Sequence, residues 1–375
     1  MGGCLCDNNP QAQSEVQLKV ERYQGQQTAP GFTTIIEDPF QPAVKSQAQA
    51  HSPTDLSTPP IDALPLQNAF RGYLHSKTLR TAQRDWLDLG TSHPVLPETT
   101  EATQDDPKAL LSKEAAATLA RLPVFSYPQR VRNVANFPPQ RVSDSSIYIG
   151  QWAISPSGTY RHGQGKMYLR DGSYIEGYWQ AGKPHHLARI VYSNGDFYEG
   201  QIDQGLKSGS GHFSAFDSTL TYTGMWAEDK RNGVGKESDQ DGTVYEGIFR
   251  NDTKTGKGKF QWMDGSWYIG ELQTGEIEGQ GEYHWSDGRW YKGQWKEGKM
   301  HGKGEFSSTD GKNYVGDYVL DRREGYGVYK WGSNTYEGQW QANKMHGVGY
   351  LTAADGLRKK FEFREGSKVK EVQDS

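Results

Sequence analysis

Cysteine is almost missing from this chain: there are two in 375 residues, Cys4 and Cys6. With one residue between them they have poor geometry for a bridge to each other, and no other cysteine is present to build a disulfide framework. No nearby Cys or His pair completes a four-ligand zinc site. Long apolar runs are also missing. No stretch of about 18 apolar residues suggests a membrane-spanning helix, and no secretory hydrophobic segment is present. Charge is nearly balanced, with 42 Lys+Arg against 46 Asp+Glu and a net charge of −4, so the basic footprint of a nucleic-acid binder is absent. Apolar residues make up only 34%, which points to little core. Against these scarcities stand 11 Trp, 21 Tyr and 45 Gly.

The aromatics and glycines are periodic. A leading position recurs at Tyr148, Ile175, Tyr198, Tyr222, Tyr245, Tyr268, Tyr291, Tyr314 and Tyr336, in steps of 27, 23, 24, 23, 23, 23, 23 and 22. The Tyr291 copy reads Tyr291, Gly293, Trp295, Gly298, then His301-Gly302-Lys303-Gly304 and Asp310-Gly311. A fixed period of about 20–50 residues means stacked supersecondary units rather than one globular core.

Within a copy, residues 291–295 alternate large with small or polar, the period of a strand. A turn follows at 296–300, a second run passes through Gly302, Gly304 and Phe306, and Asp310-Gly311 closes the unit with a tight-turn pair. Each copy is therefore predicted to be a β-hairpin. The leading glycines, among them Gly247, Gly270, Gly293 and Gly338, never fail, and an aromatic lies two residues away in every copy. Glycine weakens a strand, so its persistence predicts a ring lying over a bare Cα and a sharp bend in the sheet. A second glycine row, Gly302 in the Tyr291 copy, is broken once by His186, with Ala188 replacing the glycine that should follow. A local irregularity is expected there. The expected fold is all-β: an elongated, twisted, single-layer sheet of about nine hairpins, roughly eighteen strands. Ring contacts of Tyr245, Tyr268, Tyr291, Trp295, Tyr336 and Trp340 would hold it together.

These residues resemble the MORN repeat (membrane occupation and recognition nexus): Tyr-x-Gly-x-Trp, a Gly-rich turn, His/Asn-Gly-x-Gly and a late Asp-Gly. The first copy departs by an insertion around residues 155–158, and the third has Ile202 where Trp is usual. The resemblance implies protein partners along the array, roles at cortical membranes or membrane–cytoskeleton junctions, and a homodimer through repeats at one end. Phosphoinositide binding, also implied, has little support without a basic stripe. Family members sometimes carry a lipid kinase or methyltransferase domain, and neither is expected in the few residues after the ninth copy.

The chain starts Met1-Gly2-Gly3-Cys4-Leu5-Cys6. Loss of Met1 would expose Gly2 between small neighbours suited to N-myristoylation. One acyl chain binds a membrane only marginally, and Cys4 and Cys6 are candidates for the second signal through palmitoylation. The expected organisation is an acylation signal at 1–6, a disordered Gln/Pro/Thr/Ser-rich tether at 7–64, a partly helical capping or partner segment at 65–147, the repeat array at 148–363 and a tail at 364–375. Within the tether, residues 33–40 form an apolar island that reads as a peptide motif or as chance. Leu66, Phe70, Tyr73 and Leu74 follow a helical stripe, with Leu79, Ala82 and Trp86 as its candidate extension, and residues 107–122 predict a second helix. Residues 357–364, alternating basic and aromatic, predict a last edge strand.

Catalytic chemistry finds no foothold. His162, His185, His301 and His346 share one repeat position with Asn232, Thr255, Glu278 and Glu324, which marks a structural slot. Gly302-Lys303-Gly304 lacks the strand–loop–helix context of a phosphate loop. The carboxylates of Glu199, Glu246 and Glu337 recur two strands apart or more, about 10 Å, too far for an acid/base pair. No catalytic residue, metal or cofactor is expected. The resulting expectation is a non-enzymatic scaffold acylated at its N-terminus. It would lie at the cytoplasmic face of a membrane, the plasma membrane or cell cortex or a ciliary membrane. The alternatives are a structural component of an axoneme, radial spoke or other microtubule assembly, and a regulatory subunit recruiting a phosphoinositide enzyme.

Overall fold

The computed structural model describes residues 100–373 apart from 143 and 157. The chain divides into two units, Met1–His51 and Ser52–Ser375, and every described residue belongs to the second. Gly2, Cys4, Cys6, the apolar island at 33–40 and the helical stripe at 66–86 lie outside the described residues.

Three short strands come first: β1 (Thr100–Ala102), β2 (Ala135–Asn136) and β3 (Gln140–Val142). Then follow ten consecutive hairpins, from β4 (Ile147–Ser155) with β5 (Gly158–Tyr168) to β22 (Arg358–Arg364) with β23 (Ser367–Glu371). All belong to one open antiparallel sheet of 23 strands. From β4 onward each strand pairs with the next in sequence. β3 joins β1 to one end of β4, and β2 pairs with the other end of the same β4 edge.

Two kinds of turn generate this meander. Inside a hairpin, two residues turn the chain with both φ angles positive, as at Glu297-Gly298 (φ 52° and 69°), the geometry that matches the twist of the flanking strands. Between hairpins the Asp of Asp-Gly accepts a hydrogen bond from the amide two residues on, as from Ser266 to Asp264 at 2.8 Å. Each inner turn also bonds back to the preceding hairpin: Gly298 donates to Ile277 O at 3.0 Å, Asp321 to Met300 O at 2.9 Å and Asn343 to Arg323 O at 3.1 Å. These links recur every period and stitch one hairpin to the next.

Three features differ from the sequence expectation, and the insertion read in the first copy takes a definite form. Where one terminal edge strand was expected, the chain turns at Glu365-Gly366 and returns as β23, giving a tenth hairpin. β1–β3 have two or three residues each, too short to show a period. The expected helix over 107–122 is in two pieces: a 3-10 turn at Pro107–Leu110 and helix α1 (Lys113–Arg121). The break falls at Ser112, whose hydroxyl caps α1 by accepting from Ala115 N at 3.0 Å and itself donates to Ser193 O at 2.7 Å. The insertion in the first copy lengthens its hairpin by the pairs Ile154↔Thr159 and Ser155↔Gly158.

A candidate protein-binding face

Strand residues alternate between two faces, and the repeat assigns each face a different task. The leading tyrosines point inward and are buried, Tyr268, Tyr291 and Tyr336 at 0% exposure. Beneath each ring lies a pair of facing glycines. For Tyr291 these are Gly293 and Gly304, directly paired between β16 (Trp290–Lys296) and β17 (Lys299–Ser307). A methyl at Gly293 would sit 2.5 Å from the Tyr291 hydroxyl and from the Gly304 Cα, so no side chain fits at either position. The same holds at Gly247 under Tyr245, Gly270 under Tyr268 and Gly338 under Tyr336. After each of these glycines the register slips by a bulge, and the tyrosine hydroxyl donates to a carbonyl there: Tyr291 to Gln294 O at 2.9 Å, Tyr268 to Glu271 O at 2.9 Å, Tyr336 to Gln339 O at 2.8 Å. Gly302, opposite the bulge, takes φ +59°, and His186 takes +71° in the copy that lacks this glycine.

The rings interlock from hairpin to hairpin. Tyr291 meets Trp295 edge-on at 5.0 Å and Tyr318 of the next hairpin at 5.3 Å; Tyr336 meets Trp340 at 5.5 Å and Phe363 at 5.0 Å. Each such pair contributes about 0.5–1.5 kcal/mol beyond area burial. Trp295 Nε1 donates to Gly281 O at 3.2 Å and Trp340 Nε1 to Gly327 O at 3.3 Å. Long side chains close over this stack from one slot, the residue before the His position. Arg161 lies 4.9 Å from the Trp179 ring, Lys207 4.7 Å from Trp226, Arg231 5.3 Å from Phe249 and Arg323 4.5 Å from Trp340. Met300 and Met345 fill the slot elsewhere and are buried. The leading tyrosines, their glycine pairs and the tryptophans thus fill the inward face. The capping cations were not foreseen, because Arg, Lys, Met, Ile277 and Pro184 alternate in one slot with no common charge or size.

The outward face carries a ladder of charge. Lys166, Glu176, Arg189 and Glu199 are successive cross-strand neighbours, as are Lys236, Glu246 and Lys259, and Glu282, Lys292 and Glu305. The sign alternates at every step, with contacts of 3.2 Å for Lys166–Glu176 and 2.7 Å for Arg189–Glu199. The recurring carboxylates are thus spaced rungs: Glu199 lies between Arg189 and His212, Glu246 between Lys236 and Lys259, and Glu337 between Val328 and Tyr350.

Over the first hairpins this face is covered. α1 packs Ala115 against Tyr168, Tyr174 and Val191, and its Thr118 hydroxyl donates to Gly195 O at 2.7 Å. Residues 123–129 then cross the ladder without regular secondary structure. Arg189 donates to Pro123 O at 2.7 Å and stacks on the Phe125 ring at 5.5 Å. The Tyr127 ring meets Tyr178 edge-on at 5.5 Å, and burial beside Glu176 pushes its hydroxyl pKa far up. Gln129 N–H donates to the Tyr178 hydroxyl at 2.8 Å, and its carbonyl accepts from Tyr178 at 2.9 Å and from Gln164 at 2.7 Å.

His162 and His185 lie close enough to repel each other's charge, and burial holds both, with His186, below the ordinary histidine pKa. His185 Nδ1 approaches Asp203 at 3.2 Å, which partly opposes the shift. Among the described residues no three His, Cys, Asp or Glu side chains group as metal ligands. At the other end, basic residues are matched by acids: Arg358 with Glu337 at 2.9 Å, Lys359 with Glu371 at 3.0 Å and Lys370 with Glu362 at 3.1 Å.

Eight segments match the MORN repeat family model: residues 157–174, 198–218, 222–244, 245–267, 268–288, 291–312, 314–335 and 336–358. The gap between the first two holds the copy with Ile175, His186 and Ala188. Over 120 residues, 31% of this chain, the sequence is 32% identical to alsin of Homo sapiens and 31% identical to alsin of Mus musculus, and the match spans 7% of either relative's length. Among solved structures, the TCP10 domain of Danio rerio CPAP in complex with a STIL peptide aligns with TM-score 0.35 and 10% identity, covering 60% of this chain and 99% of that one. The TCP domain of Drosophila melanogaster SAS-4 with a proline-rich motif of Ana2 aligns with TM-score 0.28 and 12% identity, covering 52% and 99%.

Proposed function

We propose that this MORN-repeat chain is a non-enzymatic scaffold that binds protein partners on the outward face of its sheet and is tethered to the cytoplasmic face of a membrane by acylation of Gly2, Cys4 and Cys6. The observation that carries the binding role is the division of labour between the faces. The inward face is consumed by the fold, while the outward face already holds polypeptide over its first hairpins and, among the described residues, is left uncovered beyond them. The tether rests on the Met-Gly-Gly-Cys-Leu-Cys start. In the last hairpin Arg358, Lys359 and Lys370 are already held by acids, which weighs against an anionic lipid headgroup at those three.

The test is metabolic labelling with myristate and palmitate analogues followed by cell fractionation, comparing wild type with Gly2→Ala and with Cys4→Ser/Cys6→Ser. Loss of label with a shift to the soluble fraction supports the tethered scaffold. An unlabelled protein that still sediments after mild detergent would instead assign the chain to a cytoskeletal assembly.

A further inference from the structure

We infer that an open depression walled by Lys292, Lys303, Glu305, Val315 and Tyr326 seats an extended segment of a partner protein carrying aromatic residues flanked by proline, held as residues 123–129 are held on the first hairpins. The inference rests on the proposed role of the outward face and specifies where on it, and what, the partner places.

The internal segment supplies the template. Its seat is the rung Gln164↔Tyr178, whose side chains hold both backbone groups of Gln129, with Arg189 receiving Pro123 and Phe125. In repeat register the same rung recurs as Lys303↔Asp317 and Tyr326↔Gln339, between β17, β18 (Asn313–Val319), β19 (Arg322–Trp331) and β20 (Asn334–Gln341). Here the sheet forms a depression of about 390 Å³, within the roughly 300–1,000 Å³ of sites that enclose a small ligand or a few side chains. The ladder also changes character. Its charged rungs give way to the apolar pair Val315↔Val328, and Val315 is 46% and Tyr326 49% exposed.

Composition narrows the occupant. The polar groups round the rim already have partners: Lys303 with Asp317 at 2.6 Å, Lys292 with Glu282 at 3.4 Å, Glu305 with the Asn313 amide at 2.9 Å and the Tyr326 hydroxyl with Glu337 at 2.8 Å. Covering them strands no charge, so what the seat gains is apolar contact and not a salt bridge. Proline favours an extended conformation in itself and in the residue before it, which lowers the entropy lost on docking. The internal occupant has this composition, with Pro123 and Pro128 flanking Phe125 and Tyr127.

The experiment is a selection of displayed random 12-residue peptides on the full-length chain, followed by fluorescence anisotropy with the most enriched peptide made synthetically. We expect enrichment in aromatic residues and proline, and binding at least tenfold weaker for Val315→Glu and for Tyr326→Ala. Ile154→Glu, at an exposed position of the first hairpin, should leave it unchanged. Both seat positions are about half exposed, so the variants keep the fold, which their melting temperatures verify. A peptide that binds wild type and both seat variants equally overturns this seat while leaving a protein-binding array intact. Failure to enrich any peptide overturns the inference as well, and the tether is judged separately by fractionation.

Discussion

Ala188 takes the place of a glycine where the residue in the overlying position is Ile175 instead of tyrosine. In the other copies the tyrosine ring occupies the space above the glycine pair, and at Gly304 an added Cβ would come within 2.5 Å of Tyr291 Cζ. Isoleucine leaves room for the Ala188 methyl, which is fully buried opposite Gly177. The two departures from the repeat are thus one packing solution. Ile175→Tyr alone should destabilise the chain by roughly 1–3 kcal/mol through overpacking. Combined with Ala188→Gly, the loss should shrink, giving a coupling of about 1 kcal/mol or more in a double-mutant cycle of denaturant unfolding. Strictly additive effects would show that the two sites do not share this space.

Tyr291→Phe keeps the ring and removes one donor. The Gln294 carbonyl at the bulge loses its 2.9 Å partner, at a cost of about 1–2 kcal/mol. Amide hydrogen exchange should quicken in β16 and β17 and stay unchanged in the first hairpins.

The half-buried histidines make the first hairpins acid-sensitive. His162, His185 and His186 are held below their ordinary pKa of 6.5 chiefly by burial. The unfolded chain therefore binds protons first as pH falls. The stabilisation is complete above about pH 6.5 and is lost as pH drops through the folded-state values. Melting temperature should fall between pH 7.5 and 5, and a His162→Gln/His185→Gln/His186→Asn variant should flatten that slope; Asn is chosen for the positive φ of residue 186.

Leu320 is a strained turn residue. Its φ is +48°, in a two-residue turn with Asp321 at +68°. A branched apolar side chain is disfavoured in the left-handed region by about 1–2 kcal/mol, and asparagine tolerates it. Leu320→Asn should raise the melting temperature, while Asp321, which accepts from Met300 N at 2.8 Å, should be left in place. A lower melting temperature would show that the Leu320 side chain contributes packing that outweighs its strain.

Arg323 tests whether the capping slot needs charge. It is buried over Trp340 and also donates to Asn343 O at 3.0 Å. Methionine fills the slot in two other hairpins, so Arg323→Met should cost under about 1.5 kcal/mol, and Arg323→Ala, which uncovers the ring, about 2–4 kcal/mol. Equal losses in urea unfolding would make charge the decisive property.

The sequence exposes the hairpins because their causes are local. Tyr291, Gly293, Gln294 and Gly304 solve one packing and hydrogen-bonding problem within fourteen residues, and repeating the problem repeats the residues. The irregularity expected at His186 is absent from the backbone: His186 keeps the positive φ of the glycine row, and the bulge after Gly177 matches those of the neighbouring copies. The covering of the outward face was not readable. Pro123 meets Arg189 and Gln129 meets Tyr178 across 66 and 49 positions, and neither Phe125 nor Tyr127 sits in any periodic pattern. The depression near Val315 likewise depends on which rung residues become neighbours, and that is known only once the register is set.

The stitching of each turn to the hairpin before it has a mechanical consequence. Beyond the first hairpins, which residues 112–129 tie together, tension along the array would load its hydrogen bonds hairpin by hairpin, each held by its immediate neighbours. Hairpins should peel away one by one, each releasing a 23-residue period, about 80 Å of extended chain. Such an array yields in small, equal steps and recovers by re-zipping, the behaviour of an extensible spring between whatever its two ends hold.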